Sequence, residues 1–264
     1  MVTLELDRVE ARYGRRVIHR EVSVPPIRGG VLTALIGPNA AGKSTLFRRI
    51  AGQLPGGGRV RLQGADRDDL RYMPQDTAMT AALSVYESVI LALKQGRGGW
   101  RLAAADLARV DAILARLKIT PLASRQLAEL SGGQRQLVSL AQTLVSGPRV
   151  LLLDEPTSAL DLARQYEVVE TLRGYVAETG AVAIVALHDL NQVMRACPVT
   201  IALAPGRVEA VGPTLEVLTP ATIRRLYGIE ARVEPCSQGC PMMIVDRAVA
   251  ATSWAISRET AGWP

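Results

Sequence analysis

The sequence predicts an α/β protein built on a mostly parallel sheet, with short strands ahead of it and a helical insert inside it. Three observations carry that prediction. Val31–Ile36 is a compact apolar run joined directly to a Gly-rich loop and then a helical segment. Strand signals stop near residue 75, and helical spacing takes over until about residue 147. Strand and helix signals then alternate again from Val150 to Val211.

Residues 2–30 read as short strands, Thr3–Leu6, Arg16–Ile18 and Val22–Val24, punctuated by Pro25-Pro26 and Gly29-Gly30. Val31–Ile36 fits a strand buried on both faces, and Lys43–Ile50 a helix stopped near Gly52. Arg59–Leu62 and Arg71–Met73 fit two more strands. In the insert, Leu107, Val110, Ile113, Leu114 and Leu117 recur at helical spacing, as do Leu137, Leu140, Ala141, Leu144 and Val145. Strands are then expected at Val150–Leu153, Val182–Leu187, Thr200–Leu203 and Arg207–Val211, and helices at 162–178 and 189–196. Thr219-Pro220 opens a last helix with a cap and a proline at its first position, and Gly228 closes it. Residues 247–264 show little pattern.

The bulk numbers exclude several classes. With 264 residues the chain can bury one full core. A net charge of +6 is mildly basic, but the charges are scattered and no nucleic-acid groove is expected. No apolar run approaches the ~20 residues that span a bilayer, so a membrane role comes through a partner. The N-terminus lacks a secretory pattern, and the chain is expected in the cytoplasm. The three cysteines read as reduced thiols; Cys236 and Cys240 have no nearby Cys or His to complete a metal site.

Chemistry concentrates in four places. Gly37-Pro38-Asn39-Ala40-Ala41-Gly42-Lys43-Ser44-Thr45 fits the phosphate-loop pattern: curled backbone N–H groups and a helix N-terminus face an anion. Lys43 can reach between β- and γ-phosphates, and the Ser44 hydroxyl can hold Mg²⁺. Ala40 stands where glycine is common, which is costly only if that residue needs positive φ. Leu151–Leu153 runs into Asp154-Glu155-Pro156 at a strand end, where ligands of open parallel sheets sit. Asp154 suits Mg²⁺ through its water shell, and Glu155 suits proton acceptance from attacking water. His188 follows the next strand and suits a γ-phosphate contact, whereas His19, among Arg15, Arg16 and Arg20, reads as part of a solvated face. Ser131-Gly132-Gly133-Gln134 precedes a helix and makes a second anion cradle. Topping a separate lobe, it reaches the γ-phosphate of a second copy packed head to tail.

These motifs, in this order, resemble the ATPase subunit of an ABC transporter over about residues 2–245. The resemblance implies an α/β P-loop NTPase (RecA-like) core with an N-terminal antiparallel β subdomain and an inserted helical subdomain. The insert, residues 76–147, would carry the signature motif, and 246–264 would be a tail. It further implies that Tyr13 stacks on adenine and that Gln75 touches Mg²⁺ or its water. Ser158-Ala159-Leu160-Asp161 would cross the dimer interface beside the partner's site. Glu155, His188 and Gln75 are then the catalytic candidates, and Ser44, Gln75 and Asp154 the metal ligands. Gly37, Asn39, Gly42, Lys43, Ser44 and Thr45, with Ser131, Gly132, Gly133 and Gln134, would contact ATP.

Leu130–Val138, Glu155–Leu162, His188–Asn191 and Val217–Pro220 are similar to importers of iron–siderophore, haem or cobalamin complexes. The expectation is therefore an importer ATPase with ATP and Mg²⁺, peripheral on the cytoplasmic face of the inner membrane. Its partners would be a second copy, transmembrane permease subunits touched chiefly by residues 77–100, and indirectly a substrate-binding protein. Two rivals are a nucleic-acid- or ribosome-associated ATPase of the same kind and a nucleotide sensor without turnover. Cys197-Pro198 stands where many relatives carry an acid, which leaves the packing there open.

Overall fold

The computed structural model describes residues 1–75, 82–95 and 101–249. Two strands open the chain, β1 (Thr3–Tyr13) and β2 (Arg16–Arg28), joined by the two-residue turn Gly14-Arg15. Leu4, Leu6, Val9 and Ala11 of β1 alternate inward, as a half-buried antiparallel strand requires. The strands are longer than the sequence suggested, and β2 continues through Pro25-Pro26. It can do so because it is the edge strand of its sheet, where a missing N–H breaks no ladder.

β3 (Leu32–Ile36) leads through the Gly-rich loop into α1 (Lys43–Ile50). β4 (Arg59–Gln63) returns to pair antiparallel with β1, completing the order β2-β1-β4. β5 (Leu70–Met73) enters a second sheet. Between β5 and the next strand of that sheet lie α2 (Val85–Lys94), α3 (Ala104–Arg116) and α4 (Gly132–Leu144). α2 and α4 both open on reciprocal caps, Ser84 with Glu87 and Ser131 with Gln134. Lys94 and Asp106 tie α2 to α3 at 2.6 Å in a half-buried ion pair. Val110, Ile113, Leu114 and Leu117 turn inward as expected, whereas Leu107, in the first turns of α3, stays exposed.

The chain then alternates through β6 (Val150–Asp154), α5 (Leu162–Thr179), β7 (Val182–Ala186), α6 (Leu190–Ala196) and β8 (Val199–Ala204). β9 (Arg207–Pro213), α7 (Thr214–Val217) and α8 (Pro220–Tyr227) follow. The second sheet has the order β5-β6-β7-β3-β8-β9, parallel throughout except for the final β8-β9 pair. Every residue of β3, β6 and β7 is buried. Leu32, Ala34 and Ile36 face the core shared with the helical segment, while Leu35 packs with Leu46, Phe47 and Ile50 of α1 and with the first sheet. Cys197 is buried at the end of α6, and its carbonyl accepts a hydrogen bond from the Thr214 hydroxyl.

A feature the sequence reading missed is a C-terminal hairpin, β10 (Ile229–Pro235) with β11 (Pro241–Ala248), which takes in residues expected to be tail. Most of its side chains are exposed or half-buried, so the hydrophobic alternation that betrays a strand is faint. It is clasped to α6 by one side chain: Asn191 Nδ2 donates to Met243 O at 3.3 Å and Asn191 Oδ1 accepts from Met243 N at 2.7 Å.

Phe47, the only phenylalanine, is fully buried between the two sheets and stacks obliquely on Tyr72 at 6.2 Å. Phe47→Ala should lower unfolding free energy by about 3–5 kcal/mol, read from the denaturant midpoint. A loss below about 1 kcal/mol would contradict this packing.

Candidate functional site

β3 aims the Gly-rich loop at the carboxyl edge of the parallel sheet. Gly37 has no room for a side chain, since a Cβ there would stand 2.3 Å from the Leu203 carbonyl oxygen. Lys43, almost wholly buried, folds back so that its Nζ donates to Gly37 O at 2.8 Å and to Pro38 O at 3.4 Å. Burial pulls the Lys43 pKa down, and the carboxylates of Glu155 and Asp154 oppose that. The buried ammonium is thus pointed at the loop's own carbonyls, where an anion can take it over. Ala40 has φ +65°, the strained case for a residue with a Cβ.

Asp154 ends β6 and is 1 % exposed. The Tyr72 hydroxyl donates to its Oδ2 at 3.2 Å, and Ser44 also bonds the carboxylate. Burial raises the Asp154 pKa, which those hydrogen bonds counter in part. Its Oδ1 is buried and finds no hydrogen-bond partner among the described residues. A bare carboxylate oxygen beside a hydroxyl is a fitting donor set for a hard divalent cation that keeps part of its water.

Glu155 follows at φ +52°, outside the regions favoured by a residue with a side chain. Its carboxylate is held at both oxygens: Gln75 Nε2 donates to Oε2 at 2.8 Å, and His188 Nε2 stands 2.5 Å from Oε1. Backbone strain maintained by surrounding bonds is common where function fixes a side chain. Tyr13, Asn39, Gly42, Lys43, Ser44, Thr45, Gln75, Glu155 and His188 line one cavity of about 940 Å³. Tyr13 is 43 % exposed at the end of β1 and accepts from Arg48 at 3.1 Å.

Ser131, Gly132, Gly133, Gln134 and Asp161 lie elsewhere, on a second cavity of about 590 Å³ with no lining residue in common with the first. Here Ser131 Oγ accepts from Gln134 N at 3.3 Å and Gln134 Oε1 from Ser131 N at 3.0 Å. Gly133 must be glycine, because a Cβ would meet Ala159 O at 2.8 Å. Asp161 caps α5 by accepting from Arg164 N at 2.9 Å.

One residue that the motif reading passed over joins these parts. Gln136, buried in α4, donates to Glu155 O at 2.8 Å and to Ser158 Oγ at 3.1 Å, and accepts from Ala159 N at 2.9 Å. It therefore ties the second cradle's helix to the strained Glu155 loop. An inward Gln among Leu137, Leu140 and Leu144 was the available signal. His19 corrects the expectation of a solvated face: it is fully buried, and its Nε2 donates to Gly42 O at 2.8 Å. The arginines around it turn outward along an alternating strand, while His19 points in.

A phosphate-type loop ahead of a helix, with an acidic strand end beside it in a parallel sheet, defines a P-loop nucleoside-triphosphatase. Residues 25–158 match the family described as ABC transporter. The hemin import ATP-binding protein HmuV of Pseudomonas entomophila is 38% identical over 235 residues, covering 83% of this chain and 90% of that protein. The protein of the same name from Bordetella parapertussis is 36% identical over 254 residues, covering 88% and 94%. Among solved structures, an inward-facing putative metal-chelate type ABC transporter shares the fold at a TM-score of 0.82 and 24% identity, covering 94% of this chain and 98% of that one. The cbiO1 protein of Clostridium perfringens, part of the ABC transporter complex cbiONQ, aligns at 0.71 and 30% identity, covering 84% and 92%. The chain belongs to the ABC transporter family, as an ATP-binding subunit that hydrolyses ATP. No described helix is long and apolar enough to cross a membrane.

The positive φ at Ala40 gives a direct test of the loop conformation. Ala40→Gly should raise unfolding free energy by about 0.5–1 kcal/mol, the strain relieved less the extra freedom of the unfolded glycine. An unchanged or lower midpoint would contradict that conformation.

Proposed function

We propose that this ATPase powers an importer of haem or a related metal chelate, an iron–siderophore complex or cobalamin, as a head-to-tail pair on the cytoplasmic side of a membrane permease fed by a substrate-binding protein. The observation that carries the pairing is the division of the anion-binding features between two cavities of one chain. In a twofold pair, each P-loop cavity would be closed by the partner's Ser131-Gly132-Gly133 cradle, with Asp161 of the crossing loop beside it. The cargo class is supported by the relatives named for hemin import. Residues 2–245 would form the ATP-binding domain, with 76–147 its helical lobe and the residues after 246 a tail. The permease contact would fall on residues 77–100, of which α2 is seen and 77–81 and 96–100 lie outside the described residues.

Each side chain then has a task. Tyr13 stacks on adenine. Gly37, Asn39, Gly42 and Thr45 present backbone and side-chain groups to the phosphates, and Lys43 exchanges its loop carbonyls for the β- and γ-oxygens. Glu155 takes the proton of the attacking water. Gln75 and His188 hold both Glu155 oxygens and so fix the base, and His188 also reaches the γ-phosphate. Ser44, Asp154 and Gln75 would hold Mg²⁺, which neutralises charge developing on the triphosphate oxygens. Closing of the pair does mechanical work on the permease, and hydrolysis releases it.

Glu155→Gln should bind ATP, form a stable ATP-dependent dimer by light scattering, and hydrolyse at least about 100-fold more slowly. Turnover at the original rate would remove Glu155 as base. For cargo, the permease and binding protein are reconstituted with this chain and ATP hydrolysis is followed. Acceleration by haem-loaded binding protein is the expected result. Acceleration by a ferric siderophore or cobalamin alone would exclude haem as the cargo, and no response to any of them would contradict the importer reading.

A further inference from the structure

The strongest unassigned feature is the buried imidazole beneath the phosphate loop. His19 is 0 % exposed on β2, and its Nε2 lies 2.8 Å from Gly42 O. A carbonyl can only accept, so Nε2 carries a hydrogen, and in the neutral ring Nδ1 keeps a lone pair. That Nδ1 is buried and has no partner among the described residues. Burial holds the ring's pKa below the ordinary 6.5, which favours the neutral form with its hydrogen on Nε2.

As a packing residue this is a poor choice. An unpartnered buried nitrogen is destabilising, and an aliphatic side chain would fill the space without it. The benefit must lie in what Nε2 touches. Gly42 is the left-handed residue that opens α1, at φ +92°, and its carbonyl also accepts from Leu46 N at 2.9 Å. In a planar trans peptide the following N–H points opposite to the carbonyl. Fixing Gly42 O at His19 and at the helix thus aims the Lys43 N–H outward, into the cavity lined by Lys43 and Ser44. The ring lies so close that a Cβ on residue 42 would stand 2.5 Å from Nε2.

We propose that His19 is a positioning residue for nucleotide: it clamps the Gly42–Lys43 peptide so that its N–H is preset toward the triphosphate. This rests on the reading of Gly37–Thr45 as the phosphate cradle. The test compares the full chain with His19→Leu and His19→Gln, measuring calorimetric affinity for the nonhydrolysable analogue AMP-PNP with Mg²⁺ and the thermal midpoint of the free protein. His19→Leu should keep or raise the midpoint yet bind about 3- to 10-fold more weakly, as expected for one lost orienting hydrogen bond. His19→Gln, whose amide can still donate, should recover most of that loss. In ¹⁵N NMR the free wild-type imidazole should show a single Nε2–H tautomer whose resonance moves when AMP-PNP binds. A Leu variant binding like wild type, a Leu variant losing midpoint and affinity together, or an imidazole indifferent to nucleotide would each overturn the assignment. Wild type failing to bind AMP-PNP would instead fall on the phosphate-cradle reading itself.

Discussion

The hydrogen-bonded register of three neighbouring parallel strands, β6, β7 and β3, decides where every reactive group stands. Asp154 pairs with Ala186 and Leu35 pairs with the same Ala186, so the three strands end at one level. The phosphate loop, the Asp154-Glu155 pair and His188 therefore leave the sheet side by side. A slip of one residue would turn Asp154 to the opposite face and move Glu155 away from Lys43. The register is protected by burial on both faces: apart from Thr33 and Asp154, themselves buried, the three strands consist of Leu, Val, Ile and Ala.

On that frame the site holds several costly features together. Asp154 is buried with a bare oxygen, Lys43 is a buried ammonium, and Ala40 and Glu155 have positive φ. Each is unfavourable alone, and the surrounding core and hydrogen bonds offset them. The strain at Glu155 is not isolated. Its side chain is gripped by Gln75 and His188, and its carbonyl by Gln136 from the helix of the second cradle. A displacement of α4 would therefore be felt at the Glu155 loop through a single buried amide. At the far side, Asn191, three residues after His188, is fastened to the C-terminal hairpin. The Tyr227 hydroxyl, its pKa pushed up to about 12 by burial, meets the backbone of Gly37. The last helix and the C-terminal hairpin thus brace both ends of the site.

Much of this was legible in the chain because the chemistry restricts residue choice. Only glycine fits at Gly37 and Gly133, where neighbouring carbonyls leave no room, and such constraints write themselves into a sequence as motifs. Strands buried on both faces announce themselves as apolar runs. What stayed hidden was set by tertiary context. Pro25-Pro26 reads as a break until the strand is seen to lie at a sheet edge. His19 reads as solvated until β2's alternation is fixed by its pairing with β1. Gln136 reads as one more helical polar residue until the Glu155 loop is found against it. The exposed hairpin at 229–248 carries too little hydrophobic contrast to be seen at all.

That two chains share each ATP is tested most directly by mixing two inactive variants. Lys43→Ala disables the phosphate loop and Ser131→Arg blocks the second cradle, so each homodimer should be without ATPase activity. In a mixed pair one seam combines an intact Lys43 with an intact Ser131, and activity should return to roughly a quarter of wild type on random pairing. If each chain enclosed its own nucleotide, mixing would restore nothing, and the account of a shared site would be wrong.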